Sequence, residues 1–307
     1  MKRPVYNAIH SLFFRPKHFV AALLYRVGGC LPDALYLKWI VRLECGRKLE
    51  LENPKRFNDK LQWLKLYYRD PLWTKMVDKY GVKELVSERV GAEYVVPCLG
   101  VWNRAEDIEW DKLPDRFVLK TAHDSGNNGV FICKDKAKID KAKWIKKINS
   151  SLRRDTSIPG REWPYKDVPK RVFAEQYLED VSGELRDYKF FCFDGEVKYL
   201  YVATERQSGK LKFNYFDMDF KPLGMWQSHQ PSDKPIEKPE KFEEMKALAA
   251  KLSKGLPEVR VDLYEAKGKI YFGEFTFFSL GGIATFHPDE WDFVWGENVV
   301  LPKANNR

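Results

Sequence analysis

The chain has 307 residues, 44% hydrophobic and 15% aromatic, with a formal net charge of +9. That length supports about two domains and a sizeable core, and the composition excludes disordered and collagen-like classes. Residues 1–60 carry 12 Lys or Arg against 5 Asp or Glu, so +7 of the +9 lies near the start. Such a segment suits an anionic partner, whether phosphate, lipid headgroup, acidic glycan or nucleic acid; a basic helical face with no partner fits nearly as well.

In chain order, the first apolar run, His18 to Tyr25, falls far short of a membrane span, which needs about 18–20 residues. Arg15, Lys17 and Arg26 bracket it too closely for a secretory signal. It suits an amphipathic helix lying on a membrane surface. The cysteines (Cys30, Cys45, Cys98, Cys133, Cys192) are scattered and form no CxxC pair, which argues against a disulfide framework or zinc site. A cytoplasmic protein, peripheral at the inner membrane face, is the expectation.

Residues 1–75 are expected to be mostly helical, broken at Pro32, Pro54 and Pro71, with Asp33 capping the stretch Ala34 to Leu43. One helix is predicted from about Pro71 to Val90, stopped by Gly91. Strands are predicted at Tyr94–Pro97, Arg116–Ala122, Val130–Lys134 and Arg171–Leu178, with a basic helix over Lys138–Leu152. Asp194-Gly195 predicts a type I′ hairpin between Tyr188–Phe193 and Glu196–Val202. An amphipathic helix should cover Glu240–Lys254.

The most informative stretch is Val259 to Gly282, a β-hairpin broken by Lys-Gly-Lys. A three-residue loop at Lys267–Lys269 places Asp262 opposite Glu274 and Arg260 opposite Thr276. Two close carboxylates call for a cation between them, and oxygen-only ligands favour Mg²⁺ bridged to nucleotide phosphates. A solvated outer sheet face is the competing reading.

Four features precede the hairpin. Asp78-Lys79…Lys83 sets two lysines on one helix face. Lys120 ends an apolar strand, where burial demands an anionic partner. His123 to Gly129 is a glycine-bearing loop that suits phosphate or an ordinary turn. It is neither a Walker A loop nor GxGxxG. Ala174 to Glu179 places Glu175 after an apolar strand, in a position that suits adenine.

This order of features resembles the ATP-grasp superfamily. More closely, FNDKLQWLKLYYRDP, FVLKTAHDSGN, GREWPY, ELRDYKFFCFDGE and VRVDLY–GKIYFGEFTF look like its TupA-like branch, associated with teichuronopeptide and capsular polysaccharide synthesis. The likeness covers about residues 45–295. It implies an α+β ATP-grasp fold, two subdomains clasping ATP, preceded by a basic helical segment. The expected domains are 1–75 for that segment and 76–307 for the ATP-grasp domain, whose nucleotide-binding part is 115–180 and metal-binding part 181–295.

By the same resemblance, Lys79 and Lys120 bind ATP phosphates and the loop containing Ser125, Gly126 and Gly129 closes over them. Glu175 with Gln176, Tyr177 and Leu178 holds adenine, Glu184 binds ribose and Lys189 adds a phosphate contact. Asp262 and Glu274 carry Mg²⁺, and Arg260 stabilises the acyl phosphate or oxyanion. Thr276 stands where many ATP-grasp enzymes have Asn, which weakens a second Mg²⁺ site. Arg161 and Arg206 are the acceptor-site candidates.

The expected function is an ATP-dependent ligase joining an amino acid or amine to a carboxylate, a uronic acid of a surface glycan or its precursor. The alternatives are a glycan kinase and a non-catalytic protein binding anionic glycan or, through residues 1–60, a membrane. Nucleic acid is not an expected partner, because no recognisable binding motif accompanies the charge.

Overall fold

The computed structural model describes residues 24–25, 28–124, 129–179, 185–205 and 209–305. They form two compact units. One joins Met1–Arg69, Ser157–Glu162 and Phe278–Arg307; the other holds Asp70–Thr156 and Trp163–Phe277.

The first unit is helical: α1 (Asp33–Glu44), α2 (Phe57–Tyr67), the short α6 (Ser157–Gly160) and α8 (Glu290–Asn298). Tyr36, Leu37, Ile40, Val41, Leu49 and Leu66 form its core. Beside α2, Phe57 meets Phe286 and Trp295 edge-on. The buried Asp292 accepts from the Asn58 N–H at 2.9 Å and pairs with Arg47 and Arg56. Asp33 is not the cap of α1: Pro32 is the N-cap residue, and the Asp33 carboxylate pairs with Arg161 at 3.0 Å.

The second unit carries two antiparallel sheets. The four-stranded sheet has the order β1-β4-β2-β3, from Cys98–Trp102, Val172–Gln176, Phe117–Thr121 and Val130–Cys133. One face of β2 presents Phe117 and Leu119 to a core with Ile148 of α5 (Lys141–Leu152). The other presents Val118 and Lys120, registered against Glu175 and Phe173 of β4. The alternation follows from a strand period of two residues. Asp140 starts α5 by accepting from the Lys143 N–H at 2.9 Å.

The five-stranded sheet has the order β10-β9-β5-β6-β7, from Lys269–Thr276, Val259–Ala266, Asp187–Phe193, Glu196–Thr204 and Lys212–Phe216. Helix α7 (Phe242–Ser253) covers the face that carries Phe190 and Val261. Full burial of each such side chain contributes about 1.5–3 kcal/mol. The type I′ turn falls at Asp194-Gly195 as expected, with φ of 48° and 85°. Two further short strands are β8 (Trp226–Gln227) in this unit and β11 (Phe286–His287) in the helical one.

Two predicted elements differ. The helix expected over Pro71–Val90 is two helices, α3 (Pro71–Val77) and α4 (Val82–Val90). Asp78 breaks it by turning extended (ψ 102°), accepting from the Tyr80 N–H and pairing with Arg171. Gly81 makes room for this pair, since an added Cβ would lie 2.6 Å from Asp78 Oδ2. The strand expected at Tyr94–Pro97 begins only at Cys98. Pro97 has no N–H to give a ladder, and its carbonyl instead accepts from the Gln176 N–H.

Candidate active site

The hairpin brings its four polar residues together. Glu274 pairs with Asp262 and Thr276 with Arg260 across β9 and β10. The route differs from the expected one. The loop has two residues, Lys267 and Gly268 (φ 52° and 69°), so the ladder starts at Lys269↔Ala266. A bulge between Phe272 and Glu274 then adds the missing residue. Gly273 occupies the bulge, where a Cβ would lie 3.1 Å from the Asp262 carbonyl.

β5 completes this face, with Lys189 opposite Asp262 and Asp187 opposite Tyr264. Arg260 forks onto Asp262, Nε to Oδ1 at 2.7 Å and Nη2 to Oδ2 at 2.8 Å. Arg260 Nη2 also donates to Thr276 Oγ1 at 3.0 Å and lies 3.8 Å from Glu274 Oε1. Lys189 donates to Asp262 and pairs with Asp187 at 2.7 Å. Lys79, in the break between α3 and α4, donates to Glu274. Among the described residues three cations thus face three carboxylates, which balance in charge.

Burial alone would raise the Glu274 carboxyl, but Lys79, then Lys189 and Arg260, hold it far below the usual carboxylate range. Asp187 was not foreseen as a site residue; its signal is the DYK sequence, which puts Asp187 and Lys189 on one strand face.

The second cluster lies on the four-stranded sheet. Glu175 is buried and pairs with Lys120 at 2.6 Å and Lys83 at 2.5 Å. Burial raises its carboxyl, but the two lysines outweigh this and lower it. A cavity of about 410 Å³ opens here, lined by Val118, Lys120, Val130, Glu175, Gln176, Tyr177 and Leu178 from this sheet and its following segment. Asp187 and Tyr264 of the five-stranded sheet line it too, so the two clusters meet at one cavity. Its apolar walls with a few convergent polar groups are what a nucleotide base and phosphates need. A larger groove of about 960 Å³ runs past Pro71, Lys75, Asp78 and Arg171. Lys75–Glu84 and Arg171–Asp78 pair there with each other, so it offers less to a polyanion.

Gly129 stands at the foot of the glycine-bearing loop, its carbonyl accepting from the Thr121 N–H at 2.9 Å. Beneath it, Ser151 Oγ donates to Asp124 Oδ2 at 2.6 Å and lies 2.8 Å from Thr121 Oγ1. These buried bonds anchor the loop's entry. Ser125, Gly126, Glu184 and Arg206 lie outside the described residues. Arg161 lies in the helical unit, where Nη2 donates to the Gly28 carbonyl at 2.6 Å and the guanidinium stacks over Tyr36.

Asp262, Glu274 and Thr276 are the candidate Mg²⁺ ligands. Among the described residues no three His, Cys, Asp or Glu side chains form a metal cage. Mg²⁺ does not require one, since it binds one or two carboxylates and takes phosphate oxygens and water for the rest. Glu274, 29% exposed, and the Thr276 hydroxyl beside it fit that demand. Asp262 fits by register, although both its oxygens now accept from Arg260.

Two sheets that enclose a cavity lined by lysines, with an acid pair on a terminal hairpin, define an ATP-grasp fold. Within that class the chain belongs to the TupA-like ATP-grasp family, whose model matches residues 59–300. The chain is also similar to solved ligase structures. D-alanine–D-alanine ligase from Bacillus anthracis is 17% identical over 67% of this chain and 58% of that one, TM-score 0.41. The Helicobacter pylori enzyme of that name is 14% identical over 81% and 70%, TM-score 0.49. An L-amino acid ligase from Bacillus licheniformis is 16% identical over 75% and 51%, TM-score 0.43. The chain therefore spans little more than half the length of the first and last of these. No curated protein matches it.

Proposed function

We propose that the protein is an ATP-dependent carboxylate–amine ligase. A substrate carboxylate oxygen attacks the γ-phosphorus of ATP, and ADP leaves. An amine then attacks the acyl phosphate, loses a proton, and inorganic phosphate departs from the resulting tetrahedral oxyanion. Lys120 and Lys79 would bind phosphates, Gln176 to Leu178 the adenine, and Arg260 with Lys189 the transferring group. Glu274 and Asp262 would hold Mg²⁺, which when bound neutralises charge on the β- and γ-phosphates.

One observation carries the preference for a carboxylate acceptor. Every described acid on the Arg260 face, Asp187, Asp262 and Glu274, is bonded to a Lys or Arg. A carboxylate is already an anionic nucleophile and needs no base. A hydroxyl acceptor, as in a glycan kinase, needs a positioned base, and these paired acids supply a poor one. The family resemblance supports a uronate-bearing glycan or its precursor as the carboxylate, with an amino acid or amine as donor. The test is ADP release with hydroxylamine and a panel of uronates: hydroxamate formation is expected, and a stable phosphate ester without hydroxamate would establish the kinase instead.

The membrane contact proposed for the basic segment is supported by α1. Leu35, Lys38, Trp39 and Arg42 share one helical face, with Leu35 44% and Trp39 52% exposed. No helix among the described residues is long and apolar enough to cross a membrane. Flotation with anionic vesicles should be salt-sensitive and weakened by Trp39→Asp; wild-type flotation of that variant would remove α1 from the contact.

A further inference from the structure

The helical unit contains a cavity of about 260 Å³. Besides Lys65, its walls are Tyr25, Leu37, Ile40, Leu280 and Ile283, with Pro159, Gly160 and Gly281. Among the described residues one cation lines it. Lys65 of α2 is only 2% exposed, yet no described carboxylate forms an ion pair with it. Its Nζ donates to the Gly281 carbonyl at 2.7 Å and faces the Phe278 ring. A buried ammonium without an anion is costly unless a ligand supplies one.

A carboxylate stands close by without touching Lys65. Glu162 Oε1 lies against both glycines of the cavity wall: a Cβ on Gly160 would be 2.6 Å from it, and one on Gly281 3.8 Å. Each group feels the other's charge: burial lowers the Lys65 pKa to about 8 and raises that of Glu162, and each shift is partly offset by the other residue. Glu162 does not itself line the cavity, but the unit holds two opposite charges near Gly281 with no described ion pair between them.

We propose that this cavity binds a small aliphatic α-amino acid, its carboxylate on Lys65, its ammonium toward Glu162, and its side chain among Leu37, Ile40, Leu280 and Ile283. Charge decides between ligands. A simple carboxylate would leave two negative charges beside one positive, an amine two positive beside one negative, whereas a zwitterion gives each buried charge a partner. Lining argues against a sugar acid, whose several hydroxyls would meet a single phenol, that of Tyr25, among otherwise aliphatic side chains. Size points the same way, since ligand pockets for drug-sized molecules begin near ~300 Å³. The binding stands independently of the ligase reading; only the amino acid's role as donor rests on it.

The test is calorimetric titration of the full chain, without ATP, using leucine, valine and methionine. At least one should bind saturably. 4-Methylpentanoate and 3-methylbutylamine, the halves of leucine, should bind at least tenfold more weakly, and glucuronate should not compete. Lys65→Met and Glu162→Gln should each weaken amino-acid binding at least tenfold. Lys65→Met should melt no lower than wild type, because it removes a buried charge; Ile40→Trp, which fills the cavity, is the second variant should either fail to fold. Absence of binding by all three amino acids, unchanged binding in Lys65→Met or Ile40→Trp, or tighter binding of glucuronate would overturn the proposal. Because no nucleotide is present, a negative result leaves carboxylate activation to be judged by the hydroxylamine assay.

Discussion

Glu274→Gln is expected to lower ATP-dependent turnover by about 10²-fold or more, the scale set by removing one preorganised charge from a transition state, while the protein melts close to wild type. Glu274 is 29% exposed, and the Lys79 it releases is near enough to water to be solvated. Asp262→Asn, the obvious alternative, would not separate chemistry from folding. Asp262 is 0% exposed and holds Arg260 and Lys189 together. Weakening the anion of a buried, hydrogen-bonded set costs about 3–5 kcal/mol when a partner is removed outright. ADP release alongside thermal melting checks this. Wild-type turnover in folded Glu274→Gln would exclude the acid pair from metal binding.

Lys120→Met is expected to raise the KM for ATP strongly and to lower kcat/KM by about 10²-fold or more. Its fold should hold, because Lys83 still neutralises Glu175 at 2.5 Å. Glu175→Gln should behave in the opposite way, leaving Lys83 and Lys120 without their shared counter-charge and destabilising the sheet. The pH dependence follows from the sign of the Glu175 shift. Its carboxyl is lowered in the folded protein. Its contribution to stability is thus fully present above the unfolded value near ~4.3 and is lost as pH falls through the folded value. Wild type should therefore lose more stability on acidification than Glu175→Gln. Equal acid sensitivity of the two would mean that the Lys83–Glu175–Lys120 bridge contributes nothing to the fold.

Much of the site was legible because strand chemistry is local. The alternation in FVLKT places Lys120 away from the Phe117 and Leu119 core, and the pattern Arg260-x-Asp262 puts both polar groups on one face. Asp194-Gly195 specified its turn for the same reason, as it needs only two residues able to adopt positive φ. The same locality misled at Pro71–Val90. A periodic pattern there reads as one helix, and the break depends on Arg171, 93 residues away, capturing Asp78. Arg161 is a similar case, since nothing near it in sequence reveals the Gly28 carbonyl it serves.

From its own residues, then, the chain determined the strands, the charged faces and the order of chemical groups that places it among ATP-grasp proteins. Tertiary structure decided which charges meet. The two-residue turn and the Gly273 bulge together produce the Asp262–Glu274 register, because each shifts the ladder by one residue in compensation. Lys189 reaches Asp262 only because β5 lies beside β9. Lys65 and Glu162 come to the same glycine from segments 97 positions apart. Electrostatic pairing depends on distance through space, and a linear sequence records only distance along the chain.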